Sequence, residues 1–495
     1  MKRHLILSLA IAVVTGCQAP SSMPSAATTD RLSAESETHG TVKIRVTWPN
    51  QSSHHLQAIP LAARTVVLKL SNAAGDELLT RTLTRTDTAS VTARLDVAPG
   101  DGYMIAAESF DASGALLATG RSEAFSIVRQ RLSTVELTLE SLITRVTGTG
   151  VGGYTGDGAP AVLGQVFTPN GLAGDRDGNL YIADWANHAI RRIDSRGMLS
   201  TVAGTGETAS AAPTLGDNGL PTETAVTRPV AVAVAPNGDR FIANTSRSAL
   251  RIIPAENGER YGQSLIAGRL FTIVDGLSGP VPTAVAVDPS GNVFYAEAAR
   301  IQMLTPEGTR SVVAGTGAIA RGQGADGPAT ASSLDGPEGF VVDTSGNLLF
   351  VERNNHRVRL LCREPGTYYG IPMASGSVYT IAGKGSATGD PLTLGDGKDA
   401  LEATLSTPRG LAFDSRGNLY IADQNNQRIR RLTPDRRIST LAGTGTRTGT
   451  VEGADLGDGG SLLKATFANP IGLTVINDIL YVADSGNHSV RRIPL

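Results

Sequence analysis

From Gly40 the chain alternates apolar and polar positions: Val42, Ile44, Val46 and Trp48 share one face, and Lys43, Arg45 and Thr47 the other. A period of two marks a half-buried strand. Similar runs occupy Thr65 to Leu70, Leu78 to Leu83, Val91 to Val97, Tyr103 to Glu108, Leu116 to Thr119 and Val135 to Leu139. Turn residues separate them at Ala74-Gly75-Asp76, Pro99-Gly100-Asp101 and Ala112-Ser113-Gly114. About seven short strands in roughly a hundred residues predict a β-sandwich over residues 40–140.

Beyond residue 141 the pattern repeats. Six segments line up: Pro169-Asn170-Gly171-Leu172-Ala173 and its counterparts starting at Pro229, Pro282, Pro337, Pro408 and Pro470. In five of them a Gly turn follows, as in Asp177-Gly178-Asn179 and Arg416-Gly417-Asn418, and in the sixth it shortens to Asn477-Asp478. Such turns join antiparallel strands, because Gly accepts the positive φ they demand. A second strand (Leu180 to Asp184, Leu419 to Asp423), a third (Ala189 to Ile193, Arg428 to Leu432) and a fourth (Leu199 to Gly204, Ile438 to Gly443) complete each unit. Four antiparallel strands per repeat predict a propeller blade. The last copy stops after its third strand, at Arg491-Arg492-Ile493-Pro494-Leu495, and an orphan fourth strand lies ahead of the first copy at 142–150. Joining the two closes the ring and removes an open sheet edge. The expected fold is therefore all-β, a six-bladed propeller over 141–495 behind the sandwich.

The repeats resemble the NHL repeat family, whose motif stands here as Asn187-His188, Asn355-His356 and Asn487-His488 ahead of the third strand. The second copy departs from it with Arg247-Ser248, and the third is shortened around Ala298-Ala299. The resemblance implies an NHL-type six-bladed β-propeller; the 40–140 region is similar to immunoglobulin-like or prealbumin-like modules.

Ahead of both stand Met1-Lys2-Arg3-His4 and the apolar run Leu5 to Val14. Ten or so apolar residues are too few to span ~30 Å of hydrocarbon, and read as a signal peptide over 1–17. The ending Val13-Val14-Thr15-Gly16-Cys17 resembles a bacterial lipobox, with Cys17 the lipidated residue. Gln18 after it favours the outer membrane or cell surface by that resemblance. Residues 18–39, rich in Ser, Ala, Thr and Pro, predict a disordered tether reaching on the order of 25 Å.

Net charge is -2, so no basic excess exists to neutralise phosphates and a nucleic-acid partner is not expected. Gly, at 57 residues, exceeds the usual ~7%, as many tight turns require. The two cysteines, Cys17 and Cys362, make no disulfide scaffold, and Cys362 reads as a small buried strand residue. His54 and His55 sit in a polar loop and read as solvated. His188, His356 and His488 invite zinc, but each holds the same place in a different repeat, which argues for structure.

Acids ending the second strands (Asp184, Glu297, Glu352, Asp423, Asp484) recur in register with third-strand arginines (Arg191, Arg251, Arg359, Arg430, Arg491). They read as ion-pair ladders, each worth little if exposed. Gly-Asp loops ahead of five repeats (Asp157, Asp217, Asp326, Asp396, Asp458) supply too few oxygens for calcium and are expected to cap short helical turns. Trp185, Arg247, Arg353 and Gln424 fall in loops between second and third strands, on the face shared with the connections between blades. They are the candidate binding residues. Two insertions, Glu256 to Leu265 and Cys362 to Val378, each with a Tyr-Gly pair, belong to the opposite face as a second surface or as cover.

The expected function is a non-catalytic, membrane-anchored binding scaffold, monomeric, for a protein, glycan or cell-wall ligand. The alternative is a lactonase- or lyase-type propeller enzyme with a metal in the central channel. That site needs His, Asp or Glu from inner strands. These strands are mostly Gly, Ala, Val and Leu, leaving Asp175, Asp288, Asp343 and Asp414 at their ends. No metal, cofactor or catalytic residue is assigned.

Overall fold

The computed structural model describes residues 40–47, 65–84, 90–111, 114–127, 132–138, 140–207, 216–277, 282–319, 324–387, 394–446 and 456–495. Cys17, the signal peptide, the tether and the His54-His55 pair lie outside them. The chain divides into two compact units between Leu142 and Ile143.

In the first unit Gly40–Thr47 lies between Ser90–Val97, antiparallel, and Leu132–Thr138, parallel. A second sheet runs in the order Glu77–Thr84, Thr65–Ser71, Gly100–Phe110, Leu116–Arg121, Glu140–Ser141. Alternation decides what is buried. Thr65–Ser71 buries Val66, Leu68 and Leu70 and leaves the residues between them half-exposed. Those side chains share one core with Ile44, Leu95 and Val135 of the first sheet. Each such aliphatic side chain contributes ~1.5–3 kcal/mol by leaving water.

Among the described residues the second unit holds two short hairpins and six sheets built alike, the fourth with a short fifth strand at Gly327–Pro328. The first consists of Pro169–Gly174, Leu180–Asp184, Ala189–Ile193 and Leu199–Ala203, in that order. The second, third, fourth and fifth open with Pro229–Val234, Val285–Val287, Pro337–Val342 and Pro408–Phe413, and the sixth with Pro470–Ile476. Opening strands pack side by side in chain order, and the sixth returns against the first. The arrangement is β-propeller-like.

That packing explains the small residue two places after each opening proline. A Cβ on Gly410 would lie 2.1 Å from the Ile471 carbonyl oxygen, and one on Gly472 would lie 2.1 Å from that of Asn170. Lacking a Cβ, Gly lets neighbouring backbones come so close; in the second and third sheets Ala231 and Ala284 hold the same place.

The sixth sheet takes its outer strand from far away in sequence. Thr144–Thr147 runs antiparallel to Ser489–Pro494, with Thr144 opposite Arg492. Arg492 Nε donates to Thr144 Oγ1 at 2.9 Å, and Arg145 Nε stands 3.3 Å from Asp458.

Histidines fasten the seams between sheets. His188, His356 and His488 each sit in the left-handed region, at φ 53°, 52° and 47°. Nδ1 of each accepts from the backbone of the next sheet: from Arg228 N (3.1 Å), Thr407 N (3.0 Å) and Thr168 N (3.2 Å). Gln427 does the same for Asn469 N at 2.8 Å. These donors precede the opening prolines and themselves have φ near +50°. The latch holds a backbone that would otherwise be costly. Burial lowers the pKa of all three histidines, keeping Nδ1 an acceptor.

One expectation is sharpened and one needs correcting. The ion-pair ladder is not exposed: the side chains of Arg191, Arg251, Arg359, Arg430 and Arg491 are at most 1% accessible. Nor do the Gly-Asp loops serve as helix caps. Asp157, Asp217, Asp326, Asp396 and Asp458 instead receive those buried guanidiniums at 2.5–3.4 Å. A cap of the expected kind occurs at Asp399, which accepts from Leu401 N. Both findings have one cause: sequence register cannot show that a loop folds back over the sheet in front of it.

The two insertions form β-hairpins, Gly258–Arg260 with Gln263–Leu265 and Gly366–Tyr368 with Ile371–Met373. Tyr261 and Tyr369 occupy their tips with φ +56° and +51°. Tyr261 is buried against Phe241 and donates to the Gly291 carbonyl of the next sheet at 2.8 Å, so this insertion is cover.

Candidate functional site: the mouth of the central cavity

The six opening strands enclose a cavity of about 80 Å³, room for several waters. Its lining falls into three layers set by distance from the opening proline. The first layer is Asn170, Val230, Thr283, Glu338, Arg409 and Ile471. The second is the small residues that allow close packing. The third, Leu172, Val232, Val285, Phe340, Leu411 and Leu473, is wholly apolar. Polarity is therefore confined to the end where each strand begins.

That end carries an ion cluster. Arg409 Nη1 donates to Glu338 Oε2, and Arg353 Nε lies 3.6 Å from Glu338 Oε1. The side chains of Glu338, Arg409 and Arg353 are 12%, 19% and 37% exposed. Arg353 opens the short 3-10 turn Arg353–Asn355 that follows the second strand of its sheet, which brings it over the cavity mouth. Glu338 and Arg409 are not among the candidates read from the sequence, where the inner strands are mostly Gly, Ala, Val and Leu and only the acids at their ends stand out. The signal was there: both stand directly after an opening proline, at the place held elsewhere by Asn, Val, Thr and Ile.

Of the other sequence candidates, Trp185 and Gln424 open the equivalent turns Trp185–Asn187 and Gln424–Asn426. Arg247 ends the turn Thr245–Arg247. Trp185 is half-buried, and the exposed Arg228 guanidinium lies 5.1 Å from its ring centroid. Trp185 belongs to the first sheet and Arg353 to the fourth, so the four candidates do not gather in one spot.

The remaining acids are committed to structure. Asp175, Asp343 and Asp414 each accept from the backbone two and four residues on, closing the hairpin turn. Asp288 does so too and also pairs with Arg363 at 3.0 Å. Asp184 accepts from Phe167 N, Asn187 Nδ2 and Arg191 Nη1. Burial pushes its carboxyl up to about 7, and that of Asp484 to about 6, against the pull of the neighbouring arginines. Among the described residues no group of three or more His, Cys, Asp or Glu is placed to hold a metal. Cys362 is fully buried at the end of its strand.

Comparison with known proteins agrees with this architecture. The family model for the NHL repeat matches residues 405–432 and 467–493, and that for the teneurin NHL domain matches 112–252. Mouse teneurin-3 is 26% identical over 330 residues, 58% of this chain and 12% of its own length. Chicken NHL repeat-containing protein 2 is 33% identical over 140 residues, 27% of this chain and 18% of its own. The chain thus spans only a small part of these relatives. An auxiliary nutrient binding protein from Bacteroides thetaiotaomicron superposes with a TM-score of 0.50 at 16% identity, covering 92% of this chain and 97% of its own. A protein of unknown function from the same organism gives 0.51 at 14%, covering 90% and 99%. The class is therefore an all-β protein with a β-propeller-like fold. More particularly, the chain carries NHL repeats.

Proposed function

We propose that the second unit is a closed six-bladed propeller acting as a non-catalytic binding scaffold, with the cavity mouth as its binding surface. The first unit is then a β-sandwich, and Cys17 a lipid anchor holding an exported monomer at the outer membrane or cell surface. One observation carries the scaffold reading: the acids ending the inner strands are locked into turns and ion pairs, while the mouth keeps a partly exposed polar cluster over an apolar floor. Such a site offers recognition without a free general acid or base. The Bacteroides nutrient binding protein, which shares the fold, fits this reading.

The test uses full-length protein in detergent, mixed with saccharides, peptides and peptidoglycan fragments. A ligand at a hundred times its Kd raises stability by ~2.7 kcal/mol, which a melting curve detects. The expected result is a saturable rise, lost in Arg409→Ala, with the ligand recovered intact by mass spectrometry. Accumulation of a cleaved or rearranged product overturns the scaffold reading. Cys17→Ser should move the protein from the membrane to the soluble fraction.

A further inference from the structure

The mouth holds more donors than its acceptors can use. Arg353 and Arg409 share the carboxylate of Glu338. Two guanidiniums carry more donors than one carboxylate can accept. Asp335, buried nearby, keeps its negative charge but spends one carboxylate oxygen on Asn354 Nδ2 at 2.7 Å. Donors of Arg353, 37% exposed, are left over in a half-buried place, where attraction for an anion is less screened than on open surface.

Across the mouth the chemistry differs. Trp185 and Arg228 belong to the first and second sheets, three steps around the ring from Arg353 and Arg409 of the fourth and fifth. The guanidinium covers one face of the indole, and the other suits a flat, partly apolar ring such as the C–H face of a sugar. The cavity itself, at about 80 Å³, admits a carboxylate and a water or two but no whole sugar ring.

We infer that the mouth binds a carboxylate-bearing oligosaccharide laid across it, its carboxylate between Arg353 and Arg409 and a sugar ring several units along on Trp185. This rests on the scaffold reading above and names its ligand class. Glu338 sets selectivity: it orients both arginines and repels a ligand with a second negative charge close to the first.

The experiment is an array of uronate-containing oligosaccharides, their neutral counterparts and acidic peptides, probed with the full-length protein, with hits measured by calorimetry. Uronate oligosaccharides are expected to bind, their neutral counterparts at least tenfold more weakly. Affinity should fall several-fold between 20 and 500 mM salt. Arg353→Gln, at a partly exposed position, and Trp185→Ala should each weaken binding tenfold or more while leaving the melting temperature within a degree or two. Binding of neutral saccharides as tightly as acidic ones, or of acidic peptides as tightly as uronates, overturns the inference but leaves the scaffold standing. So does uronate binding that Trp185→Ala leaves intact. No binding to any uronate overturns the inference as well, whereas turnover of a bound saccharide overturns the scaffold reading instead.

Discussion

The buried arginines permit a comparison within one molecule. Arg191 faces two acids, Asp157 at 2.7 Å and Asp184 at 3.5 Å. In the second sheet Asn244 replaces the second acid, so Arg251 faces Asp217, at 3.4 Å, with a neutral amide behind it. Both atoms of that amide are buried without a hydrogen-bond partner. Asp157 and Asp217 are matched in exposure, at 50% and 47%, so the same Asp→Asn change asks the same of solvent at both. Breaking a buried pair costs ~3–5 kcal/mol, and water reaching a half-exposed partner lowers this to about 2–3 for Asp217→Asn. For Asp157→Asn the retained Asp184 limits the loss to about 1 kcal/mol. With ~2.1 cal/mol/K of unfolding entropy per residue over the roughly 350 residues of the second unit, these become falls of about 3–4 °C and 1–2 °C. Calorimetry at pH 8, where Asp184 is ionised, measures both. Adding Asn244→Asp to Asp217→Asn should restore most of the loss by returning a carboxylate to the corner. Equal shifts for the two single variants, or no recovery in the double, refute the reasoning.

Other positions give independent tests. Gly410→Ala drives a Cβ into the Ile471 carbonyl and should cost about 2–3 kcal/mol in a urea melt, against about 1 for Gly346→Ala, where space is open and only φ +80° resists. Because burial holds the latch histidines below their unfolded pKa, they stabilise the fold above pH ~6.5, and that contribution is lost as pH falls. Asp184 and Asp484, lifted to about 7 and 6, work in the opposite sense and lose stability as pH rises through those values. The triple variant His188→Gln, His356→Gln, His488→Gln copies the natural Gln427, and should keep the fold while melting with less loss than the parent between pH 7.5 and 5. Deleting residues 144–147 strips the sixth sheet of its outer strand and should convert the protein to aggregates in sedimentation velocity; an unchanged monomer peak rejects this.

The β architecture was legible because it is written twice, once as alternation in Thr65–Ser71 and its neighbours and again as a repeat in register. Turns were readable for the same reason: Gly178, Gly238, Gly291, Gly346 and Gly417 all have φ between 80° and 89°. The corner around each buried arginine was half legible. The acid and arginine on paired strands recur together, but the third member arrives from a loop some 34 residues earlier, a distance that no periodicity reports. The mouth was least legible. Glu338 and Arg409 appear in different repeats as single charged residues at a place held elsewhere by Asn, Val, Thr and Ile, and only the packing of the fourth sheet on the fifth brings them together.

The pairing of Thr144 with Arg492 spans 348 residues, which sets an order of events during synthesis. Five sheets can form as the chain emerges, but the sixth cannot be completed until Ser489–Pro494 has been made. Until then Thr144–Thr147 waits unpaired, and any factor that shields nascent protein has that one segment to guard.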